Sequence, residues 1–285
     1  MATDFTRRTA VAAGFALAAQ RGWAKTPAEG FPWRLPPLRK VQVDGHSLAY
    51  FEAGSGPPLV LVHGMSGSAA FEWGRVIGPL SKRFRVIAPY QIGFGPSAQP
   101  DLAYDAAIMV QALGGLMRAL DVHGATLVGE SYGGWVVAQY AKAQAAGFAA
   151  RGPLPPISRL VIVDGAVGLR PSDGADPNRQ SLNDPAIREA AATFMSAQPK
   201  VDNAMVRQRA MQAVEADMVT PDMLPGASLP TLLIWGEGDA LIPLPIGRRF
   251  AAGLPGARLV VVRNCGHIPS VERPAAFLEA LTGFT

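Results

Sequence analysis

Short apolar runs alternate with helical patterns along most of this chain. VQVDGHSLAYFEAG carries two alternating runs about Asp44-Gly45, which predicts two antiparallel strands joined by a two-residue turn. PPLVLVHG, RVIAPY, ATLVGE, RLVIVDG, TLLIWGEGD and ARLVVVRNCGH each hold a continuous apolar run, as strands buried on both faces do. Between them FEWGRVIGPLSK, Tyr104 to Leu120, SYGGWVVAQYAKAQ, a segment near Ile246 to Ala252, and PAAFLEALTGF read as helices. This alternation predicts an α/β fold: a mostly parallel central sheet with helices on both faces and the hairpin at one edge.

The alternation stops between Asp164 and Leu229. There DPAIREAAATFM predicts a helix with Asp184 as N-cap and Pro185 at its first position, and a second helix runs from about Asp202 to Met218. Met195, Met205, Met211, Met218 and Met223 fall in this stretch, either packing a helical hairpin or lining an adaptable apolar pocket. The expected organisation is a core over 41–165 and 227–285, with a small helical cap inserted at 166–226. An extended lead-in, rich in Pro and basic residues, occupies 25–40. Residues 1–24 pair Arg7 and Arg8 with a ten-residue apolar run, Ala10 to Ala19. That run is too short to span a hydrocarbon core of about 30 Å. It resembles a twin-arginine export signal, with small residues Gly22 and Ala24 before a cut, so export to the periplasm or the exterior is expected.

The 285 residues, 49% of them hydrophobic, suit one sizeable domain or a domain with a large insertion. The formal charge is +4, but the first 24 residues hold three arginines and one aspartate, which leaves +2 for the rest. So weak a basicity, with no basic stripe, does not point to nucleic acid. The single cysteine, Cys265, excludes an internal disulfide and reads as a packing residue. The histidines at 46, 63, 123 and 267 lack metal-ligand spacing, so no metal and no cofactor is expected.

One junction stands out. Gly129-x-Ser131-x-Gly133 follows the strand ATLV and opens the next helix. A serine on so tight a bend exposes its Oγ, while glycines on either side allow close chain approach. The hydroxyl needs a base, and the base needs a carboxylate to orient it. His267 and Asp239 each follow a later strand, and all parallel strands end at one sheet edge, where the three side chains can converge. Asp164 also follows a strand end and is an alternative acid; His63 is an alternative base or a loop brace.

With the order Ser, Asp, His and the motifs LVHGMSG, GFGPS, GESYGG, WGEGDALIP and GHIPSVERP, the chain resembles the α/β-hydrolase superfamily over nearly all of residues 41–285. The resemblance implies Ser131 as nucleophile, His267 as general base then acid, and Asp239 as the group that holds the imidazole. It also implies an oxyanion hole from the backbone N–H groups of Met65 and Tyr132. Where relatives often carry an aspartate that braces the following loop, this chain has Tyr90, which changes the shape of the active-site mouth and is a candidate substrate-facing phenol. Glu130 is either a buried structural acid or a substrate contact. Phe71, Trp73, Phe94 and Trp135 are candidate pocket residues, with core packing the alternative. The expected activity is hydrolysis of a small to medium carboxylic ester through an acyl-enzyme on Ser131. A carbon–carbon bond hydrolase with the same triad is the first alternative, a peroxidase- or aminopeptidase-like member a lesser one, and a ligand-binding protein the non-enzyme one.

Overall fold

The structure is a computed structural model that describes residues 35–148, 152–170, 173, 181–199 and 201–285. The export signal read at residues 1–24 and most of the lead-in lie outside the described residues. The sheet is built from β1 (Leu38–Val43), β2 (His46–Ala53), β3 (Pro58–Val62), β4 (Arg85–Pro89), β5 (Ala125–Glu130), β6 (Ile157–Val163), β7 (Thr231–Gly236) and β8 (Arg258–Val262). Their spatial order is β1-β2-β4-β3-β5-β6-β7-β8. β1 and β2 pair antiparallel, as β2 does with β4, and every other pairing is parallel.

The hairpin turns where the pattern placed it. Val43 pairs with His46, and Asp44 and Gly45 both take positive φ, 49° and 83°, as a two-residue turn matched to strand twist requires. β1 begins at Leu38, so the last residues read as lead-in are already paired in the sheet. The central strands are buried on both faces. Leu127 and Ile162 fall in one apolar layer and Val128 and Val161 in the other, because successive side chains point to opposite faces.

The helices are α1 (Ala69–Trp73), α2 (Ile77–Leu80), α3 (Ala106–Ala119), α4 (Tyr132–Ala145), α5 (Pro185–Ala197), α6 (Ala204–Ala216), α7 (Leu244–Gly253), α8 (Pro269–Glu272) and α9 (Pro274–Thr282). FEWGRVIGPLSK is not one helix: α1 closes at Gly74 and α2 opens afresh at Ile77. Glycine weakens a helix interior, and both pieces instead bury their apolar residues against the sheet. α3 starts later than its apolar pattern, since Tyr104 sits at φ 56° and Asp105 caps the helix by accepting from the Ile108 N–H. α5 begins as predicted, with Asp184 accepting from the N–H groups of Ala186 and Ile187 and Pro185 in the first turn. No helix among the described residues is long and apolar enough to cross a membrane.

Candidate active site

The carboxyl ends of β5, β6, β7 and β8 open on one edge of the sheet, and the chemistry gathers there. β5 passes into α4 through Ser131, whose φ of 55° and ψ of −118° are strained for a residue with a Cβ. A Cβ on Gly133 would stand 2.1 Å from the Val62 carbonyl, and one on Gly129 2.1 Å from the Gly133 carbonyl. Only glycine lets the bend pack so close to β3.

His267, in the turn after β8, and Asp239, in the turn after β7, meet this serine. The Ser131 hydroxyl lies 2.8 Å from His267 Nε2, and His267 Nδ1 lies 2.8 Å from Asp239 Oδ2. Asp239 Oδ1 accepts from the N–H groups of Leu241 and Ile242 at 2.8 and 2.9 Å. Burial opposes its charge, but the imidazole and these donors hold its carboxyl below the usual value. The carboxylate therefore keeps the proton on Nδ1 and leaves Nε2 free to accept from the serine.

On the other side of Ser131 runs the loop after β3. His63 is fully buried, and burial lowers it to about 4, so it is neutral. Its Nε2 accepts from the Gln91 N–H at 3.0 Å, and its Nδ1–H donates to the Gly64 carbonyl at 2.8 Å. That choice of partners makes His63 a brace and not a base. The bond also fixes a peptide plane. In a trans peptide the carbonyl and the following N–H point opposite ways, so pinning the Gly64 carbonyl aims the Met65 N–H. Among the described residues, no protein acceptor takes the N–H of Met65 or of Tyr132.

Sequence reasoning missed three residues around this site. Glu72 of α1 accepts from the Gly64 N–H at 2.6 Å and from the Ser66 hydroxyl. Burial pushes it up to about 7, against these bonds. Ser270 of α8 donates to Glu130 at 2.8 Å. Arg207 of α6 donates to the carbonyls of Met65 and Ser66 and to Asn203. An acid inside an otherwise apolar α1 was the one signal in the sequence. Arg207 had none, because the carbonyls it reaches, those of Met65 and Ser66, lie about 140 positions away.

The candidate pocket residues divide. Trp73 is fully buried against Phe277 of α9, and Trp135 stacks on Tyr132 while its indole N–H donates to the Asp217 carbonyl. Both are buried in the core, one of the two readings that the sequence left open. Tyr90 is also core. Its ring lies under Gly95, where a Cβ would come within 2.4 Å, so the tyrosine fills the space beneath the GFGPS loop. Burial raises its phenol to about 12. Phe94 packs edge-on to His63 and touches Gly67 of the loop, and Phe71 stacks on Phe194 of α5. Glu130 is buried beside Ser270, whose hydroxyl donates to its Oε2. Burial, then the nearby Glu72, raises it well above the carboxylate range.

A model of the alpha/beta hydrolase family matches residues 59–280. The chain belongs to this family, and it is a hydrolase of that class. It is 27% identical over 271 residues to the 2-hydroxy-6-oxo-6-(2'-aminophenyl)hexa-2,4-dienoic acid hydrolase of Metapseudomonas resinovorans, covering 86% of this chain and 90% of that one. It is 28% identical over 285 residues to the 2-hydroxymuconate semialdehyde hydrolase of Pseudomonas sp. (strain CF600), covering 86% and 93%. In three dimensions it resembles the enol-lactonase from Burkholderia xenovorans LB400, with a TM-score of 0.71 at 22% identity, over 86% of this chain and 99% of that one.

Proposed function

We propose that this protein hydrolyses a carbon–carbon bond next to a ketone in a small dienoic acid. The observation that carries the reading is the named substrate of its relatives, which are dienoic acid and semialdehyde hydrolases matching most of both chains. Arg207 adds to it. This half-buried guanidinium, beside the Met65–Ser66 carbonyls, pairs with no carboxylate among the described residues. It fits the carboxylate of such an acid.

In this reading the Ser131 Oγ attacks the ketone carbon as His267 takes its proton. The Met65 and Tyr132 N–H groups hold the resulting oxyanion, a contribution of roughly 3 kcal/mol for each donor. Before cleavage the distal 2-hydroxyl must pass its proton to the carbon next to the ketone, turning the dienol into a 2-oxo compound. Collapse then breaks the bond to that carbon, whose electron pair spreads through the remaining double bond to the 2-oxo oxygen. His267 returns its proton to that fragment. A water, deprotonated by His267, then releases the acid from Ser131. α5 and α6 act as a cap, with Arg207 on α6.

Carboxylic ester hydrolysis, the expectation from sequence, shares the addition and acyl-enzyme steps and stands second, because the Ser131–His267–Asp239 geometry does not distinguish the leaving group. A direct comparison separates the two. Purified enzyme should turn over a 2-hydroxy-6-oxo-hexadienoate, followed by loss of its absorbance, with a higher kcat/KM than p-nitrophenyl acetate or butyrate. The opposite ranking returns the ester reading. Arg207→Ala should raise KM for the dienoate roughly 10- to 100-fold, the worth of a hydrogen bond to a charged group, with a much smaller change for the uncharged ester.

A further inference from the structure

Behind Asp239 stands a second buried acid. Asp164 follows β6, next to β7 in the sheet, and takes a left-handed φ of 41°. Both its carboxyl oxygens lie near the Gly236 N–H, at 3.0 and 3.3 Å. Its carboxyl, that of Asp239 and a ring nitrogen of His267 have ligand atoms all within 4.8 Å of one another. We propose that Asp164 is a neutral carboxylic acid whose O–H donates to Asp239, a positioning residue that extends the Ser131–His267–Asp239 chain by a fourth member.

Among the described residues, no Lys or Arg forms a hydrogen bond or ion pair with either carboxyl. Two buried carboxylates in contact, without a cation, hold a proton between them. The hydrogen-bond count assigns it. Asp239 accepts from two backbone N–H groups and the imidazole, whereas Asp164 accepts from one N–H alone. More donors favour the anion, so Asp239 is the carboxylate and Asp164 the acid. The other groups facing Asp164 agree: Glu130 at the end of β5 and Cys265 after β8 are buried acids that burial keeps protonated. Burial, followed by the charge of Asp239, raises Asp164 well above the carboxylate range.

The consequence falls on the histidine. A neutral donor disperses part of the Asp239 charge while leaving its lone pairs to orient Nδ1–H. An ionised Asp164 would instead add a second negative charge and favour imidazolium, which cannot accept the Ser131 proton. An O–H from a side chain at the end of a neighbouring strand also ties the β7 loop to β6.

The proposal rests on the Ser131–His267–Asp239 reading, so its test uses Ser131 itself. The rate constant for fluorophosphonate labelling is measured against pH in wild type, Asp164→Ala and Asp164→Asn. Failure of the wild type to label would strike the underlying reading and not the role of Asp164. Asp164→Ala should label about tenfold more slowly, with its acidic limb about half a pH unit higher, since Asp239 regains undispersed charge. Asp164→Asn keeps a neutral donor and an acceptor for Gly236, and should restore the rate to within about threefold and the limb to within about 0.3 unit of wild type. A limb displaced downward by about one unit in Asp164→Asn would mean that a native charge was lost, and would overturn the proposal. So would an alanine variant identical to wild type. Should the variants fail to fold, carboxyl-carbon NMR of aspartate-labelled wild type decides: one aspartate protonated at neutral pH is expected, and none overturns it.

Discussion

Glu72 places an ionisable group beneath the loop that carries the Met65 N–H, and His63 braces the same loop from the other side. The two titrate against each other. Native Glu72 holds its proton up to about 7, above its unfolded value, so between these limits the native state binds more protons and Glu72 costs stability as pH rises. His63 stays neutral down to about 4, so in an overlapping window the unfolded state binds more protons and stability falls as pH drops. The wild-type profile mixes both signs, and a variant separates them. Glu72→Gln should gain stability relative to wild type as pH rises from about 4.5 to about 7, read by urea unfolding at each pH. At the reacting atoms, Ser131→Ala and His267→Ala should abolish turnover. Asp239→Asn should lower kcat roughly ten-thousand-fold by stabilising the wrong tautomer of His267.

The elements act through their ends. The parallel strands deliver their functional turns to the same edge: β3 the Gly64–Met65 loop, β4 the Gln91 N–H that holds His63, β5 the serine, β6 Asp164, β7 Asp239 and β8 His267. The β5–α4 elbow is the tightest of these joints. Gly133→Ala drives a methyl against the Val62 carbonyl, and backbone cannot give way as a side chain can. It should cost roughly 3 kcal/mol in urea unfolding and remove fluorophosphonate labelling together. Asp184→Ala, at the start of α5, should by contrast cost about 1 kcal/mol of helix capping. It should leave Ser131 reactive.

For the whole molecule, the family and its fold are in place, and we propose in addition that the chain is exported through the twin-arginine-like segment at residues 1–24. The motivation is the Arg7-Arg8 pair ahead of an apolar run and the small residues before Lys25. N-terminal sequencing of material from outside the cytoplasm should begin near Lys25, and Arg7→Lys with Arg8→Lys should leave the protein inside. Recovery of the full chain with Arg7 and Arg8 from the cytoplasm of an export-competent host would refute it.

Strand periods, the Asp44-Gly45 turn, the Asp184 cap and the serine at a strand-to-helix junction were legible along the chain because each depends on neighbours within a few residues. So was the order of Ser131, Asp239 and His267, since parallel strands must end at one edge. What the chain could not reveal was burial and partner choice. Trp73 and Trp135 read as pocket or core alike until packing put them inside, and His63 became a brace only once Gly64 and Gln91 stood on its two nitrogens. Arg207 reached the Met65 carbonyl, and Asp164 came beside Asp239, through contacts between residues far apart in the chain. Local propensity follows short-range geometry, whereas a buried charge takes its state from whichever distant groups the fold brings against it.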